Sequence, residues 1–299
     1  QRFISIAENA GDVTDPLLDS DTPLYWHIFK SGGSSMKAYY TCLGLVTASQ
    51  QGILENHISD KEIQVWERMT KKGRPSGNHY VNVDTTNEAG MIRAKRLGLA
   101  ESGLADVVFA PLPPSASNMF YPEHKARFFG LFRHPIERAV SLFYYHQIAE
   151  WERNPSTYRP ELKDMTIEEW IKSKKIDREI MNFMTTSLLG KYPSNEEDLE
   201  NAKEILRTKF LVGLFSRMEE SVERFDKYFG WYDKEKRQKC QERFVINGIN
   251  RNPHDSVQEG SEAWDILAKL NSYDIQLYEY VVQLYEEQGE NVGDYAAAE

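Results

Sequence analysis

Short apolar runs separated by helix-period stretches predict a chain of alternating strands and helices. Residues 24–29, 105–110, 128–132 and 210–214 are nearly continuous apolar segments, the pattern of strands buried on both faces. Residues 79–84 alternate as a further strand. Apolar residues at helical spacing predict helices over 34–45, 87–97, 166–189 and 195–207, one from Pro135 toward Trp151, one from Arg217 to a stop at Gly230, and a long amphipathic helix over 261–288. Pro111, Pro113 and Pro114 predict a loop. Residues 1–22 are polar, with Gly11, Pro16 and several aspartates, and predict an extended or mobile lead-in to a single domain over 23–299. The order implies an α/β fold: a parallel sheet flanked by helices on both faces, with a helical C-terminal half. Ligands in such folds bind at the C-terminal ends of the strands. Lys30, Asp84, Pro111 and Arg133 all fall at such ends.

Two of these strand ends carry chemistry. The first strand runs into Lys30, Ser31, Gly32, Gly33, Ser34 and Ser35 before a helix with Met36, Tyr39, Tyr40 and Leu43 on one side. Glycines let backbone N–H groups approach an anion, the helix start adds partial positive charge, and Lys30 adds an ammonium. The second strand ends in Arg133, followed by His134, Pro135 and a helix that carries Ser141 eight residues later. Ile136, Ala139, Val140, Phe143 and Tyr144 form its packed stripe, and Ser141 falls outside that set. Taken singly, the first segment equally reads as a solvated turn and the second as a helix start with proline at its first position. Taken together, they suit a nucleotide with phosphates on two different carbons of its ribose.

The pair resembles the two cofactor signatures of sulfotransferases that use 3′-phosphoadenosine 5′-phosphosulfate, and the membrane-bound (Golgi-type) carbohydrate branch in particular. Further similarity covers Thr166–Trp170, Phe210–Leu214 and Asn271–Tyr278. The resemblance implies a P-loop-like sulfotransferase fold and transfer of a sulfonate group to an acceptor hydroxyl of a glycan or small hydroxyl compound. It assigns Lys30 to the 5′-phosphosulfate, with Ser31, Gly32, Gly33, Ser34 and Ser35 around it, and Arg133 and Ser141 to the 3′-phosphate. No metal is expected. The family places a histidine or glutamate base at a strand end roughly 20 residues before the arginine, where this chain has Val108-Phe109-Ala110-Pro111. The candidates left in that interval are His79, Asp84, Glu123 and His124. His124 has the most suitable ordinary pKa and Asp84 the most suitable position. Asp84 equally reads as a turn or cap before Thr85 and Thr86. Thr186 departs from the arginine that relatives often carry. His27 and Arg138 read as structural.

Composition narrows the alternatives. A net charge of −10 over 299 residues argues against nucleic acid as a partner. A nucleoside triphosphatase loop needs Gly-Lys followed by Ser or Thr, and the chain offers only Gly190-Lys191-Tyr192. Cys42 and Cys240 form no metal-ligand pattern, and read either as a disulfide or as two buried thiols. The basic clusters at 71–74 and 234–239 read as solvated faces or as a docking surface for an anionic acceptor. No apolar run spans a bilayer. The resemblance implies a Golgi lumenal placement behind a type II anchor that precedes Gln1; the alternative expectation is a cytoplasmic protein. The competing reading is a catalytically silent nucleotide-binding or scaffold protein on the same fold.

Overall fold

A computed structural model describes residues 2–152, 154–173, 178–192, 195–249 and 253–295. Seven strands form one sheet in the order β3-β4-β2-β5-β1-β6-β7: β1 Thr22–Trp26, β2 Thr47–Ser49, β3 Val65–Met69, β4 Pro75–Asp84, β5 Val107–Ala110, β6 Ala126–Phe132 and β7 Phe210–Leu214. All neighbours are parallel except β3 and β4. The fold class is therefore α/β with a mostly parallel, helix-flanked sheet.

Alternate residues of the central strands feed two cores, as the two-residue strand period requires. Leu24, Trp26, Val108, Ala110, Phe128, Phe132, Phe210 and Val212 face one side, where the helices Glu88–Arg96, Phe183–Leu189, Glu196–Lys209 and Ser272–Tyr295 cover them. Tyr25, Val107, Phe109, Phe129 and Leu131 face the other. There Met36, Tyr39 and Tyr40 of the helix Gly33–Cys42 and Val222 and Phe225 of the helix Met218–Tyr228 close over them. Both faces are dry, which is why these strands read as unbroken apolar runs. A third core joins the helix Pro135–His146 to Trp170 and Ile171 and to Ala263 and Leu267 of the helix Glu262–Leu270.

Several elements differ from the sequence expectation. Residues 2–9 form a helix rather than an extended lead-in, and Ile6, Ala10 and Val13 are buried. The guanidinium of Arg127 holds the following turn, pairing with Asp21 at 2.8 Å and donating to the carbonyls of Asp12, Asp15 and Pro16. The prolines open a helical turn, Pro113–Ser117, with proline at its first positions. The helix expected over 166–189 is interrupted: the described parts are Ile167–Lys172, a short 3₁₀ turn Arg178–Ile180 and Phe183–Leu189, and residues 174–177 lie outside the described set. The long C-terminal helix is two helices that meet at Asn271. The reason is a shared cap. The Asn271 side chain accepts from the Asn182 N–H at 3.2 Å, and the Asp274 carboxylate accepts from the N–H groups of Met184 and Thr185 and from the Thr185 hydroxyl, each at 2.8 Å. Those acceptors satisfy the open N-terminus of the neighbouring helix.

Cys42 and Cys240 are joined by a disulfide. It fixes the end of the helix Gly33–Cys42 to the helix Arg237–Gln241, 198 residues away in sequence. No helix among the described residues is long and apolar enough to cross a membrane.

Candidate functional site

β1 lies beside β6 in parallel, with Leu24 level with Phe128 and Tyr25 level with Phe129. The segments that follow the two strands therefore leave the sheet side by side, at its C-terminal edge. They meet in a cleft of about 810 Å³ whose lining includes Lys30, Gly32, Gly33, Ser34, Ser35, Arg133 and Ser141. Two motifs separated by about a hundred residues are thus walls of one cavity. Ser31 is the exception: it is fully buried, and its hydroxyl has no hydrogen-bond partner among the described residues.

The first wall is built to present bare donors. Gly32 adopts a left-handed φ of +85° and starts the helix Gly33–Cys42, whose first turn has no side-chain cap. The helices at Asn87, Thr166, Asn195 and Ser261 all have one. The uncapped N–H groups at the cleft edge carry the positive end of the helix dipole. Gly33 is required for a different reason: a Cβ there would lie 2.0 Å from Cδ2 of His27. His27 therefore sits directly beneath the loop. It follows β1 instead of lying inside it, and it lines the cleft. Burial, together with Lys37 and Lys30, lowers its pKa to about 4, so the ring is neutral near pH 7.

Lys30 itself has φ of +67°, a conformation that costs a non-glycine residue about 1–3 kcal/mol. Its ammonium lies 3.6 Å from the centre of the Tyr145 ring. Burial and the Arg133 charge lower its pKa to about 8, with Glu152 opposing. Arg133 donates through Nη1 to the Lys30 carbonyl at 3.1 Å and through Nε to Glu137 at 3.3 Å, and it lies over the Phe215 ring at 4.8 Å. The guanidinium is aimed across the cleft from the second strand. Ser141 lies two helical turns further along the helix Pro135–His146 on the same wall.

None of the four sequence candidates for the base lines this cleft. Asp84 is 8% exposed, and its carboxylate accepts from the Thr86 N–H and hydroxyl and from the Asn87 amide at 2.6–2.9 Å. It orders the turn ahead of the helix Glu88–Arg96. His124 lies in the bridge to Tyr121 just before β6, at the opposite edge of the sheet from Arg133. A seven-residue strand spans roughly 20 Å. His79 is paired with Glu67 across the β3–β4 hairpin, and Glu123 shares the Tyr121–His124 turn. Arg138 is fully buried, over the Phe183 ring at 4.5 Å, and donates to the Glu179 carbonyl.

The cleft also collects residues that no sequence motif singled out. Lys37, Tyr145, Trp151, Glu152, Phe215 and Glu219 all line it; Tyr145 and the Glu152 charge act on Lys30, and Phe215 lies against Arg133. Gly248, Ile249, Pro253 and His254 form a further wall. It is tied to the Lys30–Ser35 loop by the Ile249 N–H donating to the Ser35 hydroxyl at 3.1 Å. Among the described residues, no group of three or more His, Cys, Asp or Glu side chains is arranged to hold a metal.

The depressed Lys30 pKa gives a testable pH dependence. In the free protein the ammonium is charged below about pH 8 and neutral above it. A bound phosphate favours the charged form, so affinity for adenosine 3′,5′-bisphosphate is expected to be level from about pH 7 to pH 8 and to fall by up to about tenfold per unit above that. Titration calorimetry across this range reads it directly. An affinity that stays flat through about pH 9 would contradict contact between the anion and a lysine whose pKa is lowered.

The sequence matches no protein-family model, and comparison with curated proteins likewise finds no match.

Proposed function

We propose that the cleft binds a nucleotide phosphorylated at both the 3′ and 5′ positions, and that the protein is a sulfotransferase on the sulfotransferase fold. It would move a sulfonate group from 3′-phosphoadenosine 5′-phosphosulfate to an acceptor hydroxyl, on a glycan or a small hydroxyl compound. The observation that carries this reading is the meeting of two separate anion-suited ends, the Lys30 loop and the Arg133–Ser141 helix, on adjacent parallel strands in one cavity.

The roles follow from what each group offers. The donor supplies an activated sulfur and a phosphate leaving group. Lys30 and the uncapped N–H groups at Gly33–Ser35 stabilise negative charge as it develops on the departing oxygen, with little reorganisation because they are already in place. Arg133 and Ser141 hold the remote phosphate, and that binding energy fixes the reacting end in position. Phe215, against the Arg133 guanidinium, limits its alternative rotamers. The disulfide supports a lumenal or extracellular compartment, because such bonds persist in oxidising surroundings.

Arg133→Ala is expected to weaken bisphosphate binding by about 1.5–3 kcal/mol, the size of a charge-assisted contact. Calorimetry against the unaltered protein measures it, and equal affinities would remove Arg133 from the site. Activity is tested by transfer of label from sulfur-labelled donor to a mixture of desulfated polysaccharides and 4-nitrophenol. Label passing to an acceptor supports the proposal. A protein that binds the bisphosphate but transfers to nothing would favour the silent nucleotide-binding reading.

A further inference from the structure

The cleft has two carboxylates and two imidazoles in its lining: Glu152, Glu219, His27 and His254. Three of the four are poorly suited to take a proton from an acceptor at the Lys30 end. Glu219 is in the first turn of the helix Met218–Tyr228, four residues after Phe215, whose ring lies under the Arg133 guanidinium. His254 is stacked on Tyr144, with ring centres 4.7 Å apart and 10° between planes. The edge of the His27 ring is closed off by the backbone of Gly33, and burial, helped by Lys37 and Lys30, holds it as a weak base.

Glu152 differs in each respect. It is exposed at the cleft wall. Its carboxylate accepts a hydrogen bond from the Tyr145 hydroxyl, the same side chain whose ring faces the Lys30 ammonium. Both Lys30 and Lys37 respond to its charge. Immediately before it, Trp151 also lines the cleft and is 55% exposed. A large indole left open beside a carboxylate offers a flat apolar surface for the C–H face of a sugar, with polar groups at its rim.

We infer that Glu152 is the catalytic base for a sugar hydroxyl that lies on Trp151. This rests on the sulfotransferase reading. In the step, the hydroxyl proton passes to a Glu152 carboxylate oxygen as the hydroxyl oxygen forms its bond to sulfur. The bond from sulfur to the bridging oxygen breaks, and its electron pair leaves on the 5′-phosphate next to Lys30. The Glu152 proton then returns to solvent, so no oxidant, reductant or metal enters the balance.

Comparison of two acceptors separates a base from a merely structural group. An alkyl hydroxyl needs a base, whereas 4-nitrophenol is largely ionised near pH 8 and does not. Glu152→Gln is expected to lower the rate of transfer to desulfated polysaccharide by about 10²-fold or more. Transfer to 4-nitrophenolate should change by less than about tenfold, since a phenolate needs no base and only the charge felt by Lys30 and Lys37 is altered. Equal losses with both acceptors, or no loss with polysaccharide, would overturn the assignment and leave the transferase reading standing. Transfer by the unaltered protein to nitrophenol but never to polysaccharide would overturn the sugar acceptor and the inference with it. An unaltered protein that neither binds the bisphosphate nor transfers to either acceptor would overturn the sulfotransferase reading itself.

Discussion

Replacement of Lys30 by alanine is expected to lower sulfonate transfer by about 10³-fold in turnover while leaving the folded structure in place. The size follows from the loss of a preorganised cation at the point where charge develops, which is worth about 10²–10³ in rate for a single donor, with the further loss of charge close to the reacting group. The fold should tolerate the change. Lys30 makes no ion pair with a carboxylate among the described residues; its ammonium rests on the Tyr145 ring, and its carbonyl, which receives Arg133, is kept in the variant. Alanine inherits the same left-handed backbone angle and about the same strain. Nucleotide binding should weaken as well, but by less than turnover, because the uncapped helix start and Arg133 remain. Steady-state rates with sulfur-labelled donor and a melting curve together make the test. Turnover within about threefold of the unaltered protein would remove Lys30 from the leaving-group role.

The second large effect concerns stability. Substitution of both cysteines, Cys42→Ser with Cys240→Ser, is expected to cost about 2–5 kcal/mol, since the bond closes a loop of 198 residues in sequence separation. For a domain of this size the thermal midpoint should fall by roughly 5–10 °C. The position of the bond gives it a second consequence. Cys42 ends the helix whose start carries Gly33, Ser34 and Ser35. Cys240 precedes the segment that reaches Val245, Gly248 and Ile249 in the cleft wall. Asp226 reinforces the same junction, accepting from the Tyr39 hydroxyl at 2.5 Å and pairing with Arg237 at 2.8 Å. Calorimetry with and without reductant checks the expectation. A midpoint that neither the double substitution nor the reductant moves would show that this bond adds nothing to stability.

The strands that position the cleft were legible because burial on both faces leaves a simple mark. β1, β5, β6 and β7 are almost wholly apolar in sequence, and each sits inside the sheet or beneath helices. β2 and β3 left no such mark. Thr47-Ala48-Ser49 is buried but short and hydroxyl-rich. β3 is an antiparallel edge strand whose Val65, Trp66 and Met69 are exposed, so its apolar residues follow no period. The N-terminal helix and the break at Asn271 depend on partners remote in sequence, Arg127 for the turn after the first and Asn182 for the second.

Within the site, the two anion-suited segments were visible because each is local, a strand end followed at once by a helix start. The candidates for a base do not join them in the cleft. His124 has a favourable side chain, but it precedes β6 and so lies at the end of that strand away from Arg133. Asp84 follows its strand, yet its oxygens are taken up by Thr86 and Asn87. Tyr145 reaches the cleft from the last turn of the helix Pro135–His146, and Trp151 and Glu152 reach it from the turns that follow. No spacing or composition foretells those turns. His27 read as a strand residue because the apolar run continues past it, but regular pairing in β1 ends at Trp26.

The central claim is that one molecule bridges the Lys30 loop and the Arg133 helix. Its most direct test is calorimetric titration of the folded protein with adenosine 3′,5′-bisphosphate and, in parallel, with adenosine 5′-monophosphate. The account predicts that one bisphosphate binds per chain, and more tightly than the monophosphate by at least about tenfold, the margin set by the contact to the second phosphate. Absence of bisphosphate binding, or equal affinity for the two nucleotides, would contradict it.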